Sequence, residues 1–234
     1  ISMCSKPRKP QRKPKPSAVE VSGDVSEPTE AEKRARKRLS CQLRLLGDCT
    51  VTLPETRDMN VELQCVNASA VPEPDATGYG AALDIGTTTM ALRLYDLASG
   101  PLLGEAGMLN PQTAVAADVM GRIQAALEGG LAKLQAQVSQ AMDRLLAKAA
   151  EDGGIAPEQV QTMIVAGNTT MLYLLTGRDP ASLARAPFQA DCLFDQWRER
   201  GNLKMYLPAC MNAFVGADIT CALLSSGICG RAET

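Results

Sequence analysis

An α/β fold is predicted for the larger part of this 234-residue chain, on three observations. Short apolar strands recur at 80–85, 90–97, 102–108 and 160–166, a long amphipathic helix separates the third from the fourth, and two of the strands run straight into glycine loops rich in hydroxyls. At 45% hydrophobic, the chain can bury a real core, as one large domain or two small ones.

The elements follow in order. "KPRKPQRKPKP" (6–16) carries six basic residues and four prolines, so neither a helix nor a strand ladder suits it. Residues 1–27 are expected to be an extended basic arm, either a plain disordered tail or a contact for an acidic partner or nucleic acid. "PTEAEKRARKR" (28–38) predicts a helix with Thr29 as N-cap and Glu32 completing a capping box. "LSCQLRLLGDCTVTLPE" (39–55) alternates apolar residues about Gly47-Asp48, which predicts a small β-hairpin, and the proline-bearing stretch up to 77 reads as a linker.

From residue 78 a lobe is predicted to begin with a three-stranded meander. Ala81, Ala82, Leu83 and Ile85 mark a buried strand, Met90, Leu92, Leu94 and Leu97 its partner, and Ser99-Gly100 the turn into a third. Gly86-Thr87-Thr88-Thr89 then forms a hairpin tip. Glycine lets backbone approach an anion closely, successive amides and three hydroxyls supply donors for phosphate oxygens, and Asp84 can hold a magnesium ion or its water shell. The plain alternative is a ligand-free turn whose aspartate bonds its own backbone.

"LNPQTAVAADVMGRIQAALEGG" (109–130) reads as a Pro-started turn and a helix. A longer helix follows, with Leu131, Leu134, Val138, Met142, Leu145, Leu146 and Ala149 as its core stripe. "VQTMIVA" (160–166) is a further strand, and it runs into "GNTTM", where Asn168, Thr169 and Thr170 repeat the strand–glycine–donor arrangement ahead of a helix. "NAFVGADITCALLSSG" (212–227) puts Gly216 and Asp218 at the start of another helix. Asp218 is a catalytic candidate or simply a first-turn stabiliser.

Composition excludes several chemistries. There is no histidine, so His-based triads, general bases and metal ligands are absent. Net charge is −2, but residues 1–40 hold 11 Lys and Arg against 5 Asp and Glu, which leaves 13 against 21 for the rest. That acidic bulk makes nucleic-acid binding an unsuitable role. Eight cysteines form no Cys-x-x-Cys pair, no secretory signal stands out, and no apolar run suits a membrane span, so the expected compartment is a reducing cytoplasm. Cys192, Cys210, Cys221 and Cys229 lie in apolar segments and read as small buried hydrophobes.

"LDIGTTTMALRLYDLASG", "LNPQTAVAADVMGRI", "AGNTTMLYLLTGRDPASLARAPF" and "LPACMNAFVGADITCALL" occur in that order over roughly 78–230. Together they resemble the reductive activators of corrinoid proteins, ATPases of the acetate and sugar kinase, heat-shock chaperone and actin superfamily with an N-terminal ferredoxin domain. The resemblance implies a ribonuclease H-like, actin-like ATPase first lobe over 78–234, preceded over 28–55 by the remnant of a small β-rich 2Fe–2S domain. It implies ATP and magnesium as ligands. Asp84 would organise magnesium, Gly86, Thr87, Thr88 and Thr89 would hold phosphates, Asn168, Thr169 and Thr170 would line the same cleft, and Asp218 would polarise water. The implied activity is ATP-driven transfer of an electron from an iron–sulfur cluster to Co(II) of a corrinoid methyl-transfer protein, with a homodimer as a further expectation. Cys4 fits the place of the third cluster ligand and Cys41 that of the fourth. The first two would lie upstream of Ile1 and a second ATPase lobe beyond Thr234, so the chain is expected to be a fragment that assembles no cluster by itself. An activator of 2-hydroxyacyl-CoA dehydratase, a small-metabolite kinase and a non-catalytic binding lobe remain alternative readings.

Overall fold

The computed structural model describes the strands at 18–25, 38–39 and 45–52 and the continuous stretch 77–227. The chain divides into two compact units, Ile1–Asp58 and Met59–Thr234.

In the first unit, β1 (Ala18–Val25) lies between β2 (Arg38–Leu39) and β3 (Leu45–Thr52), antiparallel to both. Three expectations are corrected here. The basic arm gives way to strand from Ala18, because "AVEVSGDV" lacks the prolines of 6–16 and alternates apolar with polar residues. Arg38 belongs to a strand and not to a helix end; the rest of the predicted helix, Thr29 and Glu32 included, lies outside the described residues. Gly47-Asp48 is no hairpin turn. β3 runs through it, and the register slips between Gly23↔Cys49 and Val25↔Leu45, so the turn-prone pair is absorbed as an irregularity opposite β1. Pairing with a distant strand outweighs the local turn signal. Cys4, Cys41 and the predicted linker at 56–76 lie outside the described residues.

The second unit holds β4 (Tyr79–Ile85), β5 (Thr89–Asp96), β6 (Leu102–Leu109), β7 (Val160–Gly167), β8 (Gln196–Arg200) and β9 (Leu203–Leu207) in one six-stranded mixed sheet, in the order β6-β5-β4-β7-β9-β8. β4, β5 and β6 are the predicted antiparallel meander; β7 runs parallel to β4 and to β9. Alternation decides which face each side chain takes. Leu83, Ile85, Met90, Leu92, Leu94, Met163 and Val165 are buried on one face, while Ala82, Asp84 and Ile164 point to the other.

The buried face is covered by helices. A one-turn segment at Pro111–Ala114 leads to α1 (Val119–Ala125), the chain bends at Gly129 with φ +94°, and α2 (Leu131–Asp152) follows. Of the predicted stripe, Leu134, Val138, Met142, Leu145, Leu146 and Ala149 are buried in the core, and Leu131 is half-buried at its edge. Truncating one such leucine to alanine costs about 2–5 kcal/mol. α3 (Thr169–Thr176) leaves β7 directly and is buried on almost every side, the short α4 (Ala181–Ala184) follows, and α5 (Ala217–Ser225) comes after β9. A smaller apolar cluster of Ile123, Tyr173, Leu183 and Ala213 ties α1, α3 and α4 to the loop before α5.

Candidate functional site

β4 and β7 are parallel neighbours paired through to their last residues, Ile85 opposite Gly167. The loops that leave them therefore start side by side at one edge of the sheet, where α/β proteins gather ligands. The hairpin tip after β4 is tight. A Cβ on Gly86 would lie 2.6 Å from the Thr89 carbonyl oxygen, so glycine is required there. Thr87 is half-buried, whereas Thr88 and Thr89 are exposed.

Asn168 joins the two loops. Its Nδ2 donates to Thr87 Oγ1 at 3.2 Å, while its Oδ1 accepts from the Met171 amide at 3.0 Å and so caps α3. The third motif reaches the same place. A Cβ on Gly216 would come within 2.4 Å of Asn168 Cα and 2.6 Å of the Thr169 nitrogen, so the backbone that opens α5 is pressed onto the start of α3. The three stretches singled out in the sequence thus meet at one end of the lobe.

Asp84, on the solvent-facing side of β4, is exposed by surface area, yet the protein atoms around it strip water from its carboxylate and push its pKa above the usual carboxylate range. Asp218, half-buried in the first turn of α5, adds like-charge repulsion to that rise. No hydrogen bond within the described residues relieves Asp84. Two carboxylates that repel each other, without a cationic side chain between them, fit a divalent cation. Magnesium suits such a sparse set because it keeps several waters and takes further oxygens from phosphate. Among the described residues no three His, Cys, Asp or Glu side chains gather into a fuller metal site. The loop fits phosphate by the chemistry of its donors: two exposed threonines and a backbone kept clear of a Cβ.

The predicted residues are not all open to solvent. Thr169 and Thr170 are buried, at 0% and 2% exposure, and the Thr169 hydroxyl donates to the Asn212 carbonyl at 2.7 Å. Sequence reasoning missed the side chains beneath the hairpin tip. Asn110, Gln112 and Arg122 are completely buried, and Asn110 Nδ2 donates to the Gly86 carbonyl at 2.8 Å. Burial pushes the Arg122 guanidinium below its ordinary pKa, and Asp118 pulls it back up. The signal for them was Asn-Pro at a turn and an arginine beside Ile123 on an apolar helix face. Of the cysteines, Cys210 is buried; Cys192 and Cys221 are half-buried and Cys229 lies outside the described residues. Burial, and then the charge of Asp218, raises the Cys221 thiol pKa, since Cys221 follows Asp218 by about one turn of α5.

Residues 79–231 match the family described as RACo middle region. The chain belongs to that family. The RACo middle-region match is joined by a curated relative, the corrinoid activation enzyme RamQ of Eubacterium limosum, 34% identical over 161 residues that make up 62% of this chain and 26% of that enzyme. A solved structure, the reductive activator for corrinoid, iron-sulfur protein, superposes with a TM-score of 0.64 at 31% identity over 68% of this chain and 27% of that one. The chain thus spans about a quarter of the length of each. The resemblance to reductive activators of corrinoid proteins holds, and the matched stretch 79–231 is an α/β lobe of actin-like ATPase type. No helix among the described residues is long and apolar enough to cross a membrane.

Proposed function

We propose that this RACo middle region is the phosphate-holding lobe of an ATP-dependent activator of corrinoid proteins. The observation that carries the reading is the bond from Asn168 to Thr87, which ties two glycine loops into one edge beside Asp84 and Asp218. Gly86 to Thr89 receive phosphate oxygens, Asp84 holds the water shell of magnesium, Asn168 fixes the loop, and Asp218 orients water. An iron–sulfur cluster held by the N-terminal region, with Cys4 and Cys41 among its ligands, would supply the one electron that takes Co(II) to Co(I). Nucleotide acts by linkage: it favours one arrangement of activator and corrinoid protein over another by its differential affinity for the two. The corrinoid substrate is favoured over a hydroxyacyl-CoA dehydratase or a small metabolite by the activity named for both relatives. A cytoplasmic setting suits this reductive chemistry.

The test is calorimetric titration with magnesium ATP. One lobe supplies only part of the charge-assisted bonds, each worth about 1.5–3 kcal/mol, so the 234-residue chain is expected to bind at roughly millimolar strength and to show no ATPase activity. A longer chain with a second lobe should bind far more tightly, and Asp84→Ala in it should abolish turnover and Co(I) formation. Unchanged turnover in that variant would reduce the hairpin to a turn.

A further inference from the structure

The hairpin tip is held from below by side chains sealed from solvent. Asn110 Nδ2 donates to the Gly86 carbonyl and Arg122 Nη2 to the Thr87 carbonyl. Each carbonyl shares its peptide group with the N–H of the next residue, so these bonds fall on the peptides that present the Thr87 and Thr88 amides. Neither amide has an acceptor among the described residues. A donor on a peptide oxygen draws electron density from its nitrogen and strengthens its N–H as a donor.

The other groups that Arg122 bonds are neutral, Met171 Sδ among them. Nη1 reaches Gln112 Oε1 at 3.2 Å and Nε the Ala116 carbonyl at 3.1 Å, while Gln112 is itself fixed by donating to the Leu134 carbonyl at 2.9 Å. The nearby carboxylate, Asp118, turns its Oδ1 to the Gly121 amide at 2.8 Å and forms no ion pair with the arginine. A buried cation without a bonded carboxylate is costly to fold around, and such costs gather at functional sites. On the solvent side, the hydroxyls of Thr88 and Thr89 and the carboxylates of Asp84 and Asp218 bring no positive charge.

We propose that Arg122, together with Asn110, is a positioning residue that lends its charge through the Thr87–Thr88 peptide, so that the loop selects its ligand by anionic charge and prefers polyphosphate to monophosphate. This rests on the reading of the hairpin tip as a phosphate site.

The test follows the Thr87 and Thr88 amide resonances of the full chain during titration with magnesium pyrophosphate and, separately, with magnesium and inorganic phosphate. Wild-type protein should shift both amides and bind pyrophosphate more tightly. Arg122→Met should weaken pyrophosphate about tenfold, a change equivalent to one charge-assisted bond, and lose most of the preference over phosphate. Arg122→Lys keeps the charge and should keep the preference while affinity falls about threefold. Arg122→Gln supplies the neutral arm if the methionine variant does not fold. A purely structural role would weaken both ligands equally, so an unchanged pyrophosphate-to-phosphate ratio in the neutral variant overturns the proposal and leaves the phosphate site standing. Amides of the wild-type protein that ignore pyrophosphate overturn both.

Discussion

The hairpin tip at Gly86–Thr89 and the strand-to-helix corner at Gly167–Thr170 use the same residue types, glycine followed by hydroxyls, and put them to opposite uses. At the tip the hydroxyls of Thr88 and Thr89 face solvent and only the carbonyl side of the backbone is tied down. At the corner both threonines are buried, and Thr169 spends its hydroxyl on the Asn212 carbonyl. The difference comes from what stands in front of each loop. The tip projects beyond the sheet, whereas the corner is stoppered by the backbone of Gly216, so only Asn168 looks back towards the tip. One loop leaves its hydroxyls open to solvent, and the other joins three elements.

The stopper is where this contrast is easiest to break. A Cβ on Gly216 would overlap main-chain atoms of Asn168 and Thr169, which cannot rotate aside as a flexible side chain can. Gly216→Val is expected to cost more than about 3 kcal/mol, read as a large fall in the thermal midpoint. A variant as stable as the wild-type protein would mean that the corner is open and free to take a ligand.

A smaller effect separates the two sets of hydroxyls. Thr169→Val leaves the Asn212 carbonyl without its donor and should cost about 1–3 kcal/mol, with no loss of phosphate affinity in protein that remains folded. Thr88→Val, at an exposed position, should change stability by less than about 0.5 kcal/mol yet weaken magnesium ATP or pyrophosphate several-fold. Thermal melts paired with titrations read both quantities. Equal losses of affinity in the two variants would erase the distinction between open loop and joint.

Period-two alternation and the leucine stripe made the meander, α2 and the strand at 160–167 legible, because those segments bury one face and the pattern records it. The glycine loops were legible too, since few other residues fit where Gly86 approaches Thr89. What each threonine faces was not legible, because the burial of Thr169 depends on Gly216, far away in sequence, whereas nothing packs in front of Thr88. Arg122 was missed for a similar reason. Its partners come from residues 87, 112, 116 and 171, and an arginine in a helix ordinarily reads as a solvated one. In the first unit, Gly47-Asp48 sent the wrong signal because β1, from Ala18 to Val25, supplies a partner strand that a local reading does not include.

The smallest effect concerns Asp84, the carboxylate at the end of the strand that leads into the hairpin tip. Its folded-state pKa is raised, by the lost hydration first and by Asp218 second, so the folded protein holds that proton more tightly than the unfolded chain does. Ionised Asp84 therefore costs stability. The cost is absent below the unfolded value near about 3.9, grows as pH rises through the raised folded value, and is constant above it. Asp84→Asn removes the charge and should raise the thermal midpoint at neutral pH. The gain should stay below about 1 kcal/mol because the side chain is exposed and screened, and it should vanish towards pH 4. Magnesium works in the opposite sense. With magnesium pyrophosphate present at neutral pH, the wild-type protein should gain more stability than Asp84→Asn, because the cation relieves the repulsion between Asp84 and Asp218 only when Asp84 is ionised. That advantage should fade as pH falls through the raised pKa. Parallel melts of the two proteins across pH, with and without the magnesium salt, give the four curves needed. If the wild-type and Asp84→Asn curves run parallel throughout, the carboxylate is ordinary and Asp84 holds no cation.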